Sequence, residues 1–171
     1  MLQFDGTRAK ASNNPRKTWM ELLARAPLDL LESAIAPFAG AQPQWLRAPE
    51  TGLIMLQGRA GGSGERFNLG EATVTRCALR TDPAVVGCKA VGVAYVMGRS
   101  RRHAELAATA DALLQDPACQ HHVPTDLLPR IDAWLQARRT ARHARAQATR
   151  VEFFTLAREG GATDDAQENA E

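Results

Sequence analysis

The sequence predicts an α+β fold: an N-terminal helical hairpin, a mainly antiparallel sheet of three to five strands, and two C-terminal helices packed on it. Three observations carry that prediction. Apolar residues recur at helical spacing on both flanks, through Trp19, Leu22 and Leu23 and again through Leu106, Ala110 and Leu113. Between the flanks, the stretch from Arg47 to Glu105 consists of short apolar or alternating runs punctuated by glycine. The turns joining those runs are too short for the crossovers that parallel neighbours need, so consecutive strands form a meander.

Taken in order, Ser12, Asn13 and Asn14 are capping residues, and Pro15 suits a first helical turn, where its missing N–H has no partner to lose. The pattern Trp19, Leu22, Leu23, Ala26 runs to Pro27, and Leu28, Leu31, Ala34, Ile35 and Phe38 continue as a second helix. Trp45 and Leu46 begin an extended piece interrupted by Pro49 and Gly52, and Leu53 to Leu56 form a glycine-bounded strand. A loop from Gly58 to Arg66 precedes a strand over Glu71 to Arg80, with Thr73, Thr75, Cys77 and Leu79 on one face and Ala72, Val74, Arg76 and Ala78 on the other.

Thr81 to Ala84 read as a turn, and Val85 to Met97 as the next strand. Its bulky side carries Val91, Val93, Tyr95 and Met97; the small side, Gly92, Ala94 and Val96, suits close approach of a helix. At Gly98 the pattern changes to a helix capped by Ser100 and ended by Asp116-Pro117. After a connector with His121 and His122, a long helix runs from Thr125 or Asp126 to about Thr149. Its apolar line Leu128, Ile131, Leu135 turns basic at Arg138, Arg142 and Arg145, beside a line of small residues from Ala137 to Ala148. Val151 to Leu156 is read as a strand on its β-branched and aromatic content.

The 171 residues fit one domain over 16–158, with a flexible tail over 1–15 and a disordered acidic tail over 159–171. Of 21 basic residues only Lys10, Lys17 and Lys89 are lysines. Arginine offers a planar fork suited to phosphate and carboxylate, although an Arg- and Ala-rich composition also follows from a GC-rich coding sequence. Three cysteines, Cys77, Cys88 and Cys119, leave one unpaired in any scheme and form no CxxC, which favours a reducing compartment and argues against a metal or iron-sulfur site made by this chain alone. With no signal-like start and no apolar run of roughly 20 residues, a cytoplasmic protein with no membrane contact is expected.

Two clusters carry chemistry. The loop with glycines 58, 61, 62 and 64, flanked by Arg59 and Arg66, can form an anion-binding concavity or serve as a plain hairpin turn. It fails both nucleotide patterns: no Gly-Lys-Ser/Thr closes it, and Phe67 stands where a dinucleotide fingerprint needs glycine. The second cluster, Arg99, Ser100, Arg101, Arg102 and His103 with Glu105, lies at a strand-to-helix junction, where unpaired N–H groups attract anions. His103 can move a proton or bond locally, and Glu50 and Glu71 can act as bases or bind arginine. No GxSxG, HExxH or recognisable triad is present, and adjacent histidines 121 and 122 make a poor metal pair because their rings ordinarily diverge.

The segments RAPETGLIMLQGRAGGSGERFNLGEATVTRCALR, VGVAYVMGRSRRHAELAATADALLQDP and ATRVEFFTLAREG resemble the PhnG family, small subunits of the bacterial carbon-phosphorus lyase machinery. The resemblance spans residues 17 to 160. It implies a hetero-oligomer with the core subunits PhnH, PhnI and PhnJ in phosphonate catabolism. There a phosphonate such as methylphosphonate is joined to C1 of the ribose of MgATP, a co-substrate of the complex; adenine leaves, giving α-D-ribose 1-methylphosphonate 5-triphosphate. Radical cleavage of the C–P bond belongs to PhnJ. On this reading Arg59, Arg66, Arg76, Arg99 and Arg102 hold phosphate charge, and Glu71 and His103 assist proton transfer or position the ribose. The alternatives are a pure scaffold subunit without substrate contact and a small RNA-binding protein using the helix around Arg138 to Arg150. The single tyrosine and the net charge of +2 speak against the RNA reading.

Overall fold

A computed structural model describes residues 14–38 and 43–151. Helix α1 (Pro15–Leu23) and helix α2 (Leu28–Ile35, followed by a 3₁₀ turn over Ala36–Phe38) form the hairpin. Strands β1 (Gln44–Arg59) and β2 (Arg66–Arg80), the short helix α3 (Pro83–Val86) and strand β3 (Val91–Met97) follow. Helices α4 (Arg101–Gln115) and α5 (Leu127–Ala148) complete the described chain. The strands form one antiparallel sheet in the order β1-β2-β3.

Local chemistry sets the boundaries. Asn14 caps α1 by accepting the N–H of Arg16, with Pro15 at the first helical position as its ring geometry favours. Ser100 caps α4 by accepting the N–H of His103. The turn into α4 depends on Gly98, whose φ of 102° strains any residue with a Cβ. Its N–H donates to Thr73 and its carbonyl accepts from the buried Thr75 hydroxyl, fixing the helix start to β2.

Three expectations change. The strand foreseen from Val85 begins at Val91, because Asp82 caps a helical turn at Pro83–Val86 and draws Val85 and Val86 into it. The runs around Pro49 and Gly52 belong to one continuous strand, β1, which absorbs Pro49 at a register irregularity between Arg47 and Glu50. His121 and His122 do not diverge: a 3₁₀ turn brings their ring centroids within 3.9 Å, and His122 also meets Phe38 edge-on and bonds the carbonyl of Val86. Cys88 and Cys119 are joined as a disulfide, with Cys77 the free thiol. The strand expected over 151–156 lies, apart from Val151, outside the described residues, as do both expected tails apart from Asn14 and Pro15.

Helix α4 is the centre of the fold. Cys77 and Leu79 of β2 and Gly92, Ala94 and Val96 of β3 face it from the sheet, and Leu23, Leu31, Ile35 and Ile131 complete the apolar core around its other sides. Its alanines 104, 107, 108, 110 and 112 are all buried, which lets the helix backbone sit tightly on the sheet. The approach is closest at Gly92, where an added Cβ would lie 1.8 Å from the carbonyl oxygen of Ala108. The first half of α5 packs on α1 and α2 through Leu127 and Ile131, whereas everything past Leu135 is exposed.

Candidate functional site

The arginines singled out in the sequence fall into three places. Arg59 and Arg66 pair across the tip of the β1–β2 hairpin, both exposed, and Arg59 donates to the carbonyl of Gly64 across the turn at 3.2 Å. Arg76 lies on the sheet face turned away from the helices, at the root of that hairpin. Arg99 and Arg102 flank the start of α4. The sheet separates these places, and they do not converge on one pocket.

At the hairpin root, Glu50 accepts 2.7 Å bonds from both Arg76 and Arg47. These two guanidiniums, Arg76 first, hold its carboxyl below the usual carboxylate range, and Glu50 in turn raises Arg76. Glu50, Arg76, Tyr95, Val74 and Ile54 line a shallow groove of about 250 Å³ on this open face. Glu71 stands exposed farther along the hairpin, opposite Met55. Arg102 pairs with Glu105 at 3.1 Å and more loosely with Glu32 at 3.7 Å. His103 is tied to the carbonyl of Leu23 through Nε2 at 2.9 Å, joining α4 to the end of α1. Among the described residues, Arg66, Arg99 and Glu71 have no such partner.

Sequence reasoning passes over the most heavily bonded side chain, Asp111. It is fully buried in α4 and accepts from Arg16 Nε and Nη2, Trp19 Nε1, the backbone N–H of Val93 and Gln115 Nε2, at 2.9 to 3.2 Å. Gln115 also donates to the carbonyl of Val91, so the pair satisfies part of the free edge of β3. The available signal was a lone acid inside the alanine- and leucine-rich run ATADALL. Cys77 is sealed under α4, and burial pushes its thiol up to about 12, so it stays protonated and unreactive at neutral pH. Among the described residues no three His, Cys, Asp or Glu side chains gather as a metal cluster. No helix there is long and apolar enough to cross a membrane.

The fold and its surface define a small α+β protein with a fully bonded interior and arginines displayed at separate edges. The family model for the phosphonate metabolism protein PhnG matches residues 14–159, and the chain belongs to that family. It is 40% identical over 162 residues, 92% of this chain and 98% of the relative, to the alpha-D-ribose 1-methylphosphonate 5-triphosphate synthase subunit PhnG of Rhizobium meliloti (strain 1021).

Proposed function

We propose that this protein is a subunit of α-D-ribose 1-methylphosphonate 5-triphosphate synthase, acting in the cytoplasm within a core complex with PhnH, PhnI and PhnJ and inactive alone. The observation that carries the reading is 40% identity, over nearly the whole of both chains, with a relative of that name. The complex transfers methylphosphonate to C1 of the ribose of MgATP. A phosphonate oxygen forms the bond to C1, the bond from C1 to adenine breaks, and adenine leaves with a proton.

Within that reaction, Arg66 at the hairpin tip and Arg99 at the α4 start are the arginines best placed to meet substrate phosphate, because their guanidiniums are not engaged within the chain's described part. Arg59, Arg76 and Arg102 would have to share theirs with Gly64, Glu50 and the Glu105/Glu32 pair. Glu71, exposed and without a partner among the described residues, is the better placed of the two proton-transfer candidates; His103 would first have to leave Leu23. A scaffold role without substrate contact is the second reading, favoured by that same engagement of Arg76, Arg102 and His103.

Formation of α-D-ribose 1-methylphosphonate 5-triphosphate from MgATP and methylphosphonate tests both readings. The complex lacking this chain is expected to form none, and equal formation without it would sink the proposal. Arg66→Ala, Arg99→Ala and Glu71→Gln in assembled complexes then separate substrate contact from scaffold: a tenfold or greater loss in at least one supports contact, and full activity in all three supports scaffold.

A further inference from the structure

The β1–β2 hairpin outruns the third strand of the sheet. Met97 is the last residue of β3 and pairs with Val74, so the stretch 66–73 of β2 has only β1 beside it in the sheet. At about 3.3 Å per residue this two-stranded arm reaches roughly 25 Å past the sheet. It carries Leu53, Ile54, Met55, Leu56, Phe67 and Leu69, each between 39% and 62% exposed.

The register shows that these side chains occupy both faces. Thr75, which bonds Thr51, and Cys77, which meets the Ala104 carbonyl of α4, fix the helix-side face, and Leu53 and Met55 continue it opposite Thr73 and Glu71. Ile54 and Leu56 lie on the other face. An irregularity after Leu56 leaves Leu69 unpaired, and beyond it Gly58 pairs with Phe67 while the Leu69 side chain folds over Gly58, 2.7 Å from where its Cβ would stand. Phe67 and Leu69 thereby join Ile54 and Leu56. The apolar shaft ends at a polar tip, where Gln57 bonds Asn68 and Arg59 bonds Gly64.

We infer that this arm is a docking element inserted into an apolar cleft of a different protein chain, one whose walls close on both faces of the ribbon. The inference rests on the proposed place in a multi-subunit synthase and assigns the surface that joins it. Area decides the occupant. The six side chains together present on the order of 600 Å² of apolar surface over the two faces, as much as the largest single patch of a typical monomer. A second copy stacked by a two-fold axis would cover one face, on the order of 400 Å² at most, about half the roughly 800 Å² per partner of a stable interface. It would also leave Leu53 or Ile54 in water. A two-walled cleft covers both faces and reaches the polar rim besides.

The test is incorporation of the full-length chain into the core co-expressed with PhnH, PhnI and PhnJ, wild type competing against Leu53→Glu on one face and Ile54→Glu on the other. Both variants are expected to fall at least tenfold in incorporation while the isolated chain keeps the Tm of wild type, since neither side chain supports the fold. Normal incorporation of both variants beside a wild type that assembles overturns the arm and leaves the subunit reading standing. Failure of the wild type itself to assemble overturns both. Sensitivity on only one face overturns the two-walled cleft. Sedimentation of the isolated chain as a dimer that Ile54→Glu dissociates overturns it in favour of a second copy.

Discussion

The neighbourhood of Asp111 and the β1–β2 arm are built from the same materials and treat them oppositely. Around Asp111, every buried side-chain nitrogen and oxygen among the described residues has a hydrogen-bond partner, and the apolar side chains pack into one core. On the arm, apolar side chains as large as Leu53 and Phe67 are about half exposed or more, on the part of the hairpin that β3 does not flank. The first arrangement is what stability requires of a single chain. The second contributes little to folding alone, and therefore points outward. Residues that hold this protein together and the exposed apolar residues proposed to dock it occupy different parts of the molecule.

The sharpest way to break that division is at Asp111 itself. Asp111→Ala strands the Trp19 indole N–H and the Val93 amide and leaves Arg16 with water on one side only. Breaking a buried pair costs about 3–5 kcal/mol, and the half-exposed Arg16 recovers some hydration, so about 3 kcal/mol is expected. For a chain of this size that is a fall in Tm of about 10 °C. Asp111→Asn, which keeps an acceptor for Trp19 or Arg16, should lose about half as much. An unchanged melting curve for Asp111→Ala would mean the network is not part of the folded core.

One substitution made in both regions sharpens the contrast further. Gly92→Ala puts a Cβ 1.8 Å from the backbone oxygen of Ala108, so α4 must shift and about 2 kcal/mol is lost. Gly52→Ala, near the arm root, meets nothing within 4 Å and has no left-handed φ, so its melting curve should match wild type or rise slightly. Equal losses at the two sites would show the arm to be packed in the isolated chain.

The sequence made the first region more legible than the second. Period-two alternation with Gly92, Ala94 and Val96 on one side gave both the strand and the close helix approach. Cap chemistry located Asn14, Ser100 and the end of α1 within a few residues. A continuous apolar run says nothing of what covers its faces, so Leu53 to Leu56 were legible as a strand but not as one that projects into solvent. Periodicity weights apolar residues and is blind to a buried acid, which hid Asp111. Asp82-Pro83 carried a helix start as well as a turn, and only the capping bond from Ala84 decides between them. The arginines were legible as a class, and Glu105 lies one helical turn from Arg102, but Glu50 reaches Arg76 from another strand and Glu32 reaches Arg102 from another helix, and spacing along the chain does not order those in space.

The smallest effect is expected where the two regions meet. Glu50 lies at the arm root between Arg47 and Arg76, and its carboxyl sits below the ordinary range because both guanidiniums bond its charged form. A depressed carboxylate contributes above its unfolded value of 4.5 and loses that contribution as pH falls through its folded value. All three side chains are well exposed, so solvent screens the pair and melting curves of Glu50→Gln at pH 7 should overlay those of wild type. The arm root is the better place to look. Titrating the Glu50 carboxyl by NMR should give a midpoint below 4.5, and the chemical shifts of Arg76 and Tyr95 should move with it while those of Trp19 and Val93 stay fixed. A midpoint at or above 4.5 would release Glu50 from its clamp and free Arg76 for substrate. Co-movement of Trp19 and Val93 would show that the arm and the Asp111 core respond as one body, against the separation drawn between them.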